Sequence, residues 1–199
     1  MTQLLRIDAS SRNGGSHSRE LADAFVAEWR KANPAGRVVV RDVVANPLPH
    51  ISDATIAGFY TPEAQRDARL KQALALSDEL IAELMAADTI LVSAPIYNFS
   101  VPSALKAWID HVSRIGVTFA FDGKSFEGLV KGKRVYFALA YGLPAEPATD
   151  MLRPYLQLLF GFLGMTAMNF ITVEGTVTEQ AAQAKSAAAD IAVQAAKAA

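Results

Sequence analysis

The sequence contains no cysteine, which excludes disulfides, thiolate metal sites, cysteine nucleophiles and cysteine-ligated iron–sulfur clusters together. Charge of one sign is equally lacking. Nineteen Lys and Arg stand against 20 Asp and Glu, a formal net charge of −1, so no chain-wide positive field holds a polyanion by counterion release and nucleic acid is not an expected partner. No run of eighteen apolar residues occurs, so no membrane-spanning helix is expected. The first residues carry only Leu4 and Leu5 before Arg6, too little for a signal h-region, and a soluble, cytoplasmic protein is expected. His17, His50 and His111 stand isolated, without metal-ligand spacing, and no metal site is expected. What is present suits a large core: of 199 residues 51% are hydrophobic and 20% charged, far from the disordered regime. With no internal repeat and no low-complexity linker, one domain spanning 1–199 is expected.

Short apolar runs at 4–9, 38–42, 89–94, 135–139 and 170–174 alternate with helical patterns at 18–32, 67–86, 103–114, 150–163 and 178–198. That alternation predicts a parallel sheet with helices on both faces. The run Thr89-Ile90-Leu91-Val92-Ser93-Ala94 is almost continuously apolar, as a strand covered on both faces requires. In the second helical stretch Leu70, Leu74, Leu80, Ile81 and Leu84 keep largely to one stripe. The last stretch is nearly all alanine, so its end is expected to fray. Five parallel strands fit a doubly wound α/β order of 2-1-3-4-5. Two connections, 43–66 and 115–133, are longer than such a fold needs and carry aromatics, which marks them as lids, binding walls or subunit contacts.

The segment after the first strand, Asp8-Ala9-Ser10-Ser11-Arg12-Asn13-Gly14-Gly15-Ser16-His17-Ser18, offers four serine hydroxyls and two adjacent glycines just before a helix. Backbone N–H groups and the positive end of the helix dipole complete an anion site there. The loop is neither G-x-G-x-x-G nor a G-K-[ST] phosphate loop. Hydroxyls in place of cations suit a single terminal monophosphate, such as that of flavin mononucleotide (FMN). The alternative is that Ser16 or Ser18 merely caps the helix. After the third strand comes Ala94-Pro95-Ile96-Tyr97-Asn98-Phe99-Ser100-Val101-Pro102-Ser103-Ala104-Leu105-Lys106, an irregular segment stiffened by Pro95 and Pro102. In the 2-1-3-4-5 order the ligand crevice lies between strands one and three. The serine loop and the Tyr-Asn-Phe loop therefore stand side by side.

The pattern P-x-Y-N-F-x-x-P-x-x-L-K, followed by Asp110 and then Arg114-Ile115-Gly116-Val117-Thr118-Phe119, resembles the FMN-dependent NADH-azoreductases, also described as FMN-dependent NADH:quinone oxidoreductases, of the flavodoxin-like superfamily. The likeness continues through Asp8-Ala9-Ser10 and Ser16-His17-Ser18, through 128–133, Thr149-Asp150 and Pro154-Tyr155-Leu156, and through Phe160-Gly161-Phe162-Leu163-Gly164. It implies a flavodoxin-like fold with non-covalent FMN. By resemblance Ser10, Ser16, His17 and Ser18 bind the phosphate and ribityl chain, while Pro95, Ile96, Tyr97, Asn98 and Phe99 meet the ring. Leu139, Ala140, Tyr141 and Gly142 are also expected to bind the cofactor, but they stand where relatives tend to carry Ser-Arg-Gly-Gly, so the arginine is missing. Ala120 likewise replaces a basic residue after Phe119. Phe119, Phe121 and Phe162 are the expected substrate walls, and the family is homodimeric with flavin near the subunit interface.

The resemblance implies a ping-pong oxidoreductase that passes a hydride from NADH or NADPH through FMN to quinones and azo compounds. The cofactor carries the difficult chemistry, and Tyr97 or Tyr141 is a candidate weak acid. A flavodoxin-type electron carrier is the first rival, disfavoured because such carriers are acidic. An NADPH-dependent enzyme that releases reduced FMN is the second. A phospho-acceptor module needs an acidic residue where Ala94-Pro95 stands, and a serine hydrolase needs a G-x-S-x-G elbow that is absent.

Overall fold

A computed structural model describes residues 1–146, 150–178, 181–197 and 199. In chain order the elements are β1 (Gln3–Asp8), α1 (His17–Ala32), β2 (Arg37–Asp42), α2 (Asp53–Tyr60), α3 (Ala68–Ala86), β3 (Thr89–Pro95), α4 (Ser103–Val112), β4 (Phe119–Phe121), β5 (Phe126–Gly128), β6 (Arg134–Ala140), α5 (Leu152–Phe162), β7 (Ala167–Val173) and α6 (Ala181–Lys197). Every run read as a strand is one, to within a few residues at its ends. Thr149 and residues 179, 180 and 198 of the predicted last helix lie outside the described residues.

The main sheet has the order β2-β1-β3-β6-β7, and all its pairings are parallel. Without the hairpin strands β4 and β5, that order counts as 2-1-3-4-5. Period-2 alternation divides the strand side chains between two apolar layers. Leu5, Ile7, Ile90, Val92, Val135, Phe137 and Leu139 face one layer, filled by Leu80, Leu84, Leu105, Trp108, Leu156 and Phe160 from α3, α4 and α5. Leu4, Leu91, Tyr136 and Ala138 face the other, filled by Leu21, Phe25 and Trp29 of α1 and by Ala188, Ala192 and Ala196 of α6. These alanines recur every four residues and so share one helix face. Small side chains let α6 lie close against α1, and the helix persists to Lys197.

The two long connections contain structure the sequence pattern does not disclose. In 43–66, α2 is started by a reciprocal bond between Ser52 and Thr55, a capping box. In 115–133, β4 and β5 form an antiparallel hairpin. That hairpin is held down where Gly128 meets Gly164: a Cβ on Gly128 would lie 2.1 Å from the Gly164 nitrogen, so only glycine admits this approach.

The topology also sets where loops meet. β1 and β3 are neighbours, in register from Leu4↔Thr89 to Asp8↔Ser93, and the Ala9 amide donates to the Ser93 carbonyl at 2.9 Å. The chain leaves β1 for α1 on one face and β3 for α4 on the other. A crevice opens between the departing loops, at the point where the winding reverses.

Candidate functional site

Two cavities line this crevice. The smaller, about 170 Å³, is bounded by the serine loop (Ser10, Arg12, Gly15, Ser16, His17, Ser18), by Pro95, Ile96 and Tyr97, by Ala140 and Gly142, and by Thr176 and Val177. The larger, about 570 Å³, is bounded by Ile96, Asn98, Phe99, Tyr141, Gly142, Leu143, Pro144, Ala145, Glu146 and Asp150. Ile96 and Gly142 belong to both walls, so the two form one trough with a polar, hydroxyl-rich end and a mainly apolar end that also carries Asn98, Glu146 and Asp150.

At the polar end, Gly15 has φ +64, the left-handed turn that only glycine makes without strain. Ser16 is the N-cap residue of α1, yet its side chain makes no capping bond. The first N–H groups of the helix have no intrahelical partner, and here no capping hydroxyl takes one of them. The Ser16 hydroxyl instead lies 3.4 Å from that of Ser18. Both serines are buried, and the buried Nδ1 of His17 has no hydrogen-bond partner among the described residues. Unused N–H groups, two hydroxyls, an unpartnered imidazole nitrogen and the Arg12 side chain thus surround a small space at a positive helix end. Such an arrangement holds an anion of about the size of one phosphate.

At the apolar end the β3–α4 loop starts rigidly, because the Ile96 amide donates to the Ala140 carbonyl at 2.9 Å and extends the β3–β6 ladder by one step. Tyr97 and Ser100 then exchange backbone hydrogen bonds at 3.1 and 3.0 Å. Between them Asn98 and Phe99 have φ 48 and 66, a mirror-image turn that asparagine tolerates and phenylalanine rarely adopts. Phe99 is nonetheless 64% exposed. Across the trough Tyr141 is 3% exposed. Its hydroxyl donates to Asp150 Oδ1 at 3.1 Å, and its carbonyl accepts from the Thr176 amide and hydroxyl at 3.1 and 3.0 Å. Asp150 Oδ1 also accepts from the amides of Leu152 and Arg153 at the start of α5. Burial, with the Asp150 carboxylate beside it, pushes the Tyr141 phenol well above its ordinary pKa, so it is a neutral donor already in use and a poor acid.

Most of the residues anticipated from the sequence converge on the trough: Ser10, Ser16, His17, Ser18, Pro95, Ile96, Tyr97, Asn98, Phe99, Ala140, Tyr141 and Gly142. Leu139 does not. It is fully buried in the layer beneath α4 and α5 and lines neither cavity. Phe119, Phe121 and Phe162 also line neither cavity. With Phe126 they form a separate aromatic cluster, with ring centroids 4.7 Å apart for Phe119–Phe162 and for Phe121–Phe126 and 5.5 Å apart for Phe126–Phe162. Arg12, Thr176 and Asp150 line the site without having been given a role there by the sequence pattern, where Asp150 enters only as part of a shared motif. An arginine inside an anion loop is a signal for the first. The other two follow only once β7 and α5 are placed beside β6.

The chain matches a family model described as a flavodoxin-like fold over residues 2–196. It is 53% identical over 170 residues to an FMN-dependent NADH:quinone oxidoreductase of Xanthobacter autotrophicus, covering 82% of each chain. A protein of the same name from Marinomonas sp. is 44% identical over 175 residues, 88% of this chain and 89% of that one. The crystal structure of an azoreductase from Bacillus anthracis superposes with a TM-score of 0.92 at 26% identity, covering 100% of both chains. A polar-ended trough at the switch point of a 2-1-3-4-5 sheet and these likenesses agree: the chain belongs to the flavodoxin-like family, among the FMN-dependent NADH:quinone oxidoreductases.

Proposed function

We propose that this chain is an FMN-dependent NADH:quinone oxidoreductase and azoreductase, which passes two electrons from NADH or NADPH to quinones and azo compounds in a ping-pong sequence. The observation that carries the reading is the sharing of Ile96 and Gly142 between an anion-sized cavity and a larger apolar one. FMN has the same division, a phosphate tail joined to a flat tricyclic head.

The residues present fit that group. Ser10, Ser16, His17 and Ser18, with the first amides of α1, would hold the phosphate and ribityl chain by hydrogen bonds, and Arg12 would supply a cation at the rim. Pro95, Ile96, Tyr97, Asn98 and Phe99 on one wall, and Ala140, Tyr141 and Gly142 on another, would face the ring. A cavity near 570 Å³ lies within the range of small-molecule sites, roughly 300–1,000 Å³. Bound there, FMN would supply the hydride-transfer chemistry between nicotinamide and acceptor. The chain's own work is to bind, to orient and to exclude water, and no side chain is required as a nucleophile. The Tyr141 hydroxyl is committed to Asp150, which leaves solvent and the Tyr97 hydroxyl as proton sources.

A second copy of the chain completes the site. Phe121 and Phe126 are 47% and 60% exposed, an apolar cost that a subunit contact removes. In the homodimer Phe119, Phe121 and Phe162 wall the acceptor. The chain works as one flavodoxin-like domain, 1–199, in the cytoplasm.

An absorbance scan tests the reading. The purified protein shows flavin bands that NADH bleaches under anaerobic conditions and a quinone restores. Colourless protein that takes up no added FMN refutes it.

A further inference from the structure

Behind the serine loop lies a connected cluster of five charged side chains. Arg6 Nε donates to Asp8 Oδ1 at 3.0 Å and Arg6 Nη1 to Asp23 Oδ1 at 2.5 Å. Arg19, in the first turn of α1, grips Asp42 as a fork, Nη1 to Oδ2 at 2.6 Å and Nη2 to Oδ1 at 3.2 Å. The same Nη2 donates to the Ser10 carbonyl at 2.8 Å, and Nη1 lies 3.4 Å from Asp8 Oδ2. Asp8 is 3% exposed.

This cluster does not attract an anion by its net charge, because three carboxylates outnumber two guanidinium groups. Its effect is geometric and compensating. Asp8 ends β1, two residues before Ser10, and a bare carboxylate there repels any phosphate held by the loop. Ser10 is also where the loop turns, since its Oγ accepts from the Arg12 amide at 3.3 Å. Whatever fixes Ser10 fixes the start of that turn.

We infer that Arg19 is a positioning residue for the cofactor phosphate. It clamps the Ser10 carbonyl to Asp42 at the end of β2 and adds to Arg6 in screening Asp8 behind the loop, without touching the cofactor. The inference rests on the reading of the polar cavity as the FMN phosphate site. Arginine is required: its planar fork serves the Asp42 carboxylate and the Ser10 carbonyl together, whereas a lysine ammonium is a single point charge.

The test is the ratio of two dissociation constants, for FMN and for riboflavin, measured by fluorescence quenching on the full chain freed of flavin. The two ligands share a ring and differ in the phosphate, so the ratio reads the polar end alone. The wild-type protein prefers FMN. Arg19→Gln loses about tenfold to a hundredfold of that preference, the worth of one hydrogen bond to a charged group, with riboflavin affinity unchanged. Arg19→Lys keeps the charge, loses part of the preference, and decides the question if Arg19→Gln does not fold. A preference retained in Arg19→Lys, or both ligands weakened equally, makes Arg19 a structural residue only and overturns the inference. A wild-type protein that binds FMN no better than riboflavin removes instead the phosphate-site reading beneath it.

Discussion

Replacing Ser16 by alanine separates two roles that a serine at a helix start usually combines. An N-cap serine ordinarily accepts from an amide in the first turn, and its loss costs about 0.5–2 kcal/mol of stability. Ser16 has the extended backbone of an N-cap, φ −86 and ψ 110, but makes no such bond. Its hydroxyl lies 3.4 Å from Ser18 Oγ, at the outer limit of hydrogen bonding. Its carbonyl accepts from the Glu20 amide at 3.0 Å, a bond that alanine retains. Flavin-free Ser16→Ala protein should therefore lose less than about 0.5 kcal/mol. Its affinity for FMN should fall far more, because a hydroxyl bonded to a phosphate is worth about 1.5–3 kcal/mol, roughly ten- to 150-fold in Kd. Urea unfolding of the flavin-free protein and a fluorescence titration with FMN give the two numbers. A variant that loses 1 kcal/mol or more of stability (about the ordinary cap value) and binds FMN as before makes Ser16 a plain cap, and the loop is then not the anion site.

Asn98, at φ 48, allows the turn to be separated from the side chain. Asn98→Gly keeps the left-handed backbone, so weaker FMN binding in that variant reports the amide side chain. Asn98→Ala should melt lower than Asn98→Gly, since alanine in this region costs roughly 1–2 kcal/mol; equal melting temperatures contradict the strained turn. Tyr141→Phe removes one bond to a carboxylate that keeps two backbone donors at 3.2 Å, so the cost falls at the low end, about 1.5 kcal/mol or roughly 3–6 °C in Tm. Because burial raises the Tyr141 pKa in the folded state, the native protein keeps a proton that the unfolded chain loses above about pH 10. Stability present below that pH is lost as the pH rises. Urea midpoints compared below and above it should fall less in Tyr141→Phe than in wild type, with a residual fall from Tyr136 and Tyr155, whose phenols burial also raises. Identical falls refute the assignment.

The sheet was legible because its strands are covered on both faces. Runs such as 89–94 must be apolar in both directions, and that near-continuous signal survives without an alignment. Helix α2 was hidden for the opposite reason: its eight residues bury only Thr55, Gly58 and Phe59, too few for a periodic stripe, and Pro47, Pro49 and Pro62 mask its flanks. The three-residue strands β4 and β5 are too short to show alternation. At the site, adjacency of the two loops followed from strand order. Leu139 parts from the neighbouring Ala140 by strand period. Period 2 along β6 puts Leu139 with Val135 and Phe137 in the core layer and leaves Ala140 to the crevice. Asp150 and Thr176 needed tertiary placement, since each reaches the trough by bonding to Tyr141.

The Asn98–Phe99 turn shows how function is written against stability in this chain. A left-handed non-glycine residue costs on the order of 1–3 kcal/mol, and Phe99 combines that cost with 64% exposure. Burial therefore does little to offset it. The turn persists because its surroundings over-determine it: the Tyr97–Ser100 pair closes it, the Ile96 amide ties its stem to β6, and Pro95 and Pro102 restrict both ends. Rigid scaffolding around a strained, exposed aromatic is costly unless something outside the chain packs on that ring. Phe99 lines the larger cavity, so under the proposed function a flavin or acceptor bound there would supply the missing contact, and the closed turn holds the ring in place beforehand.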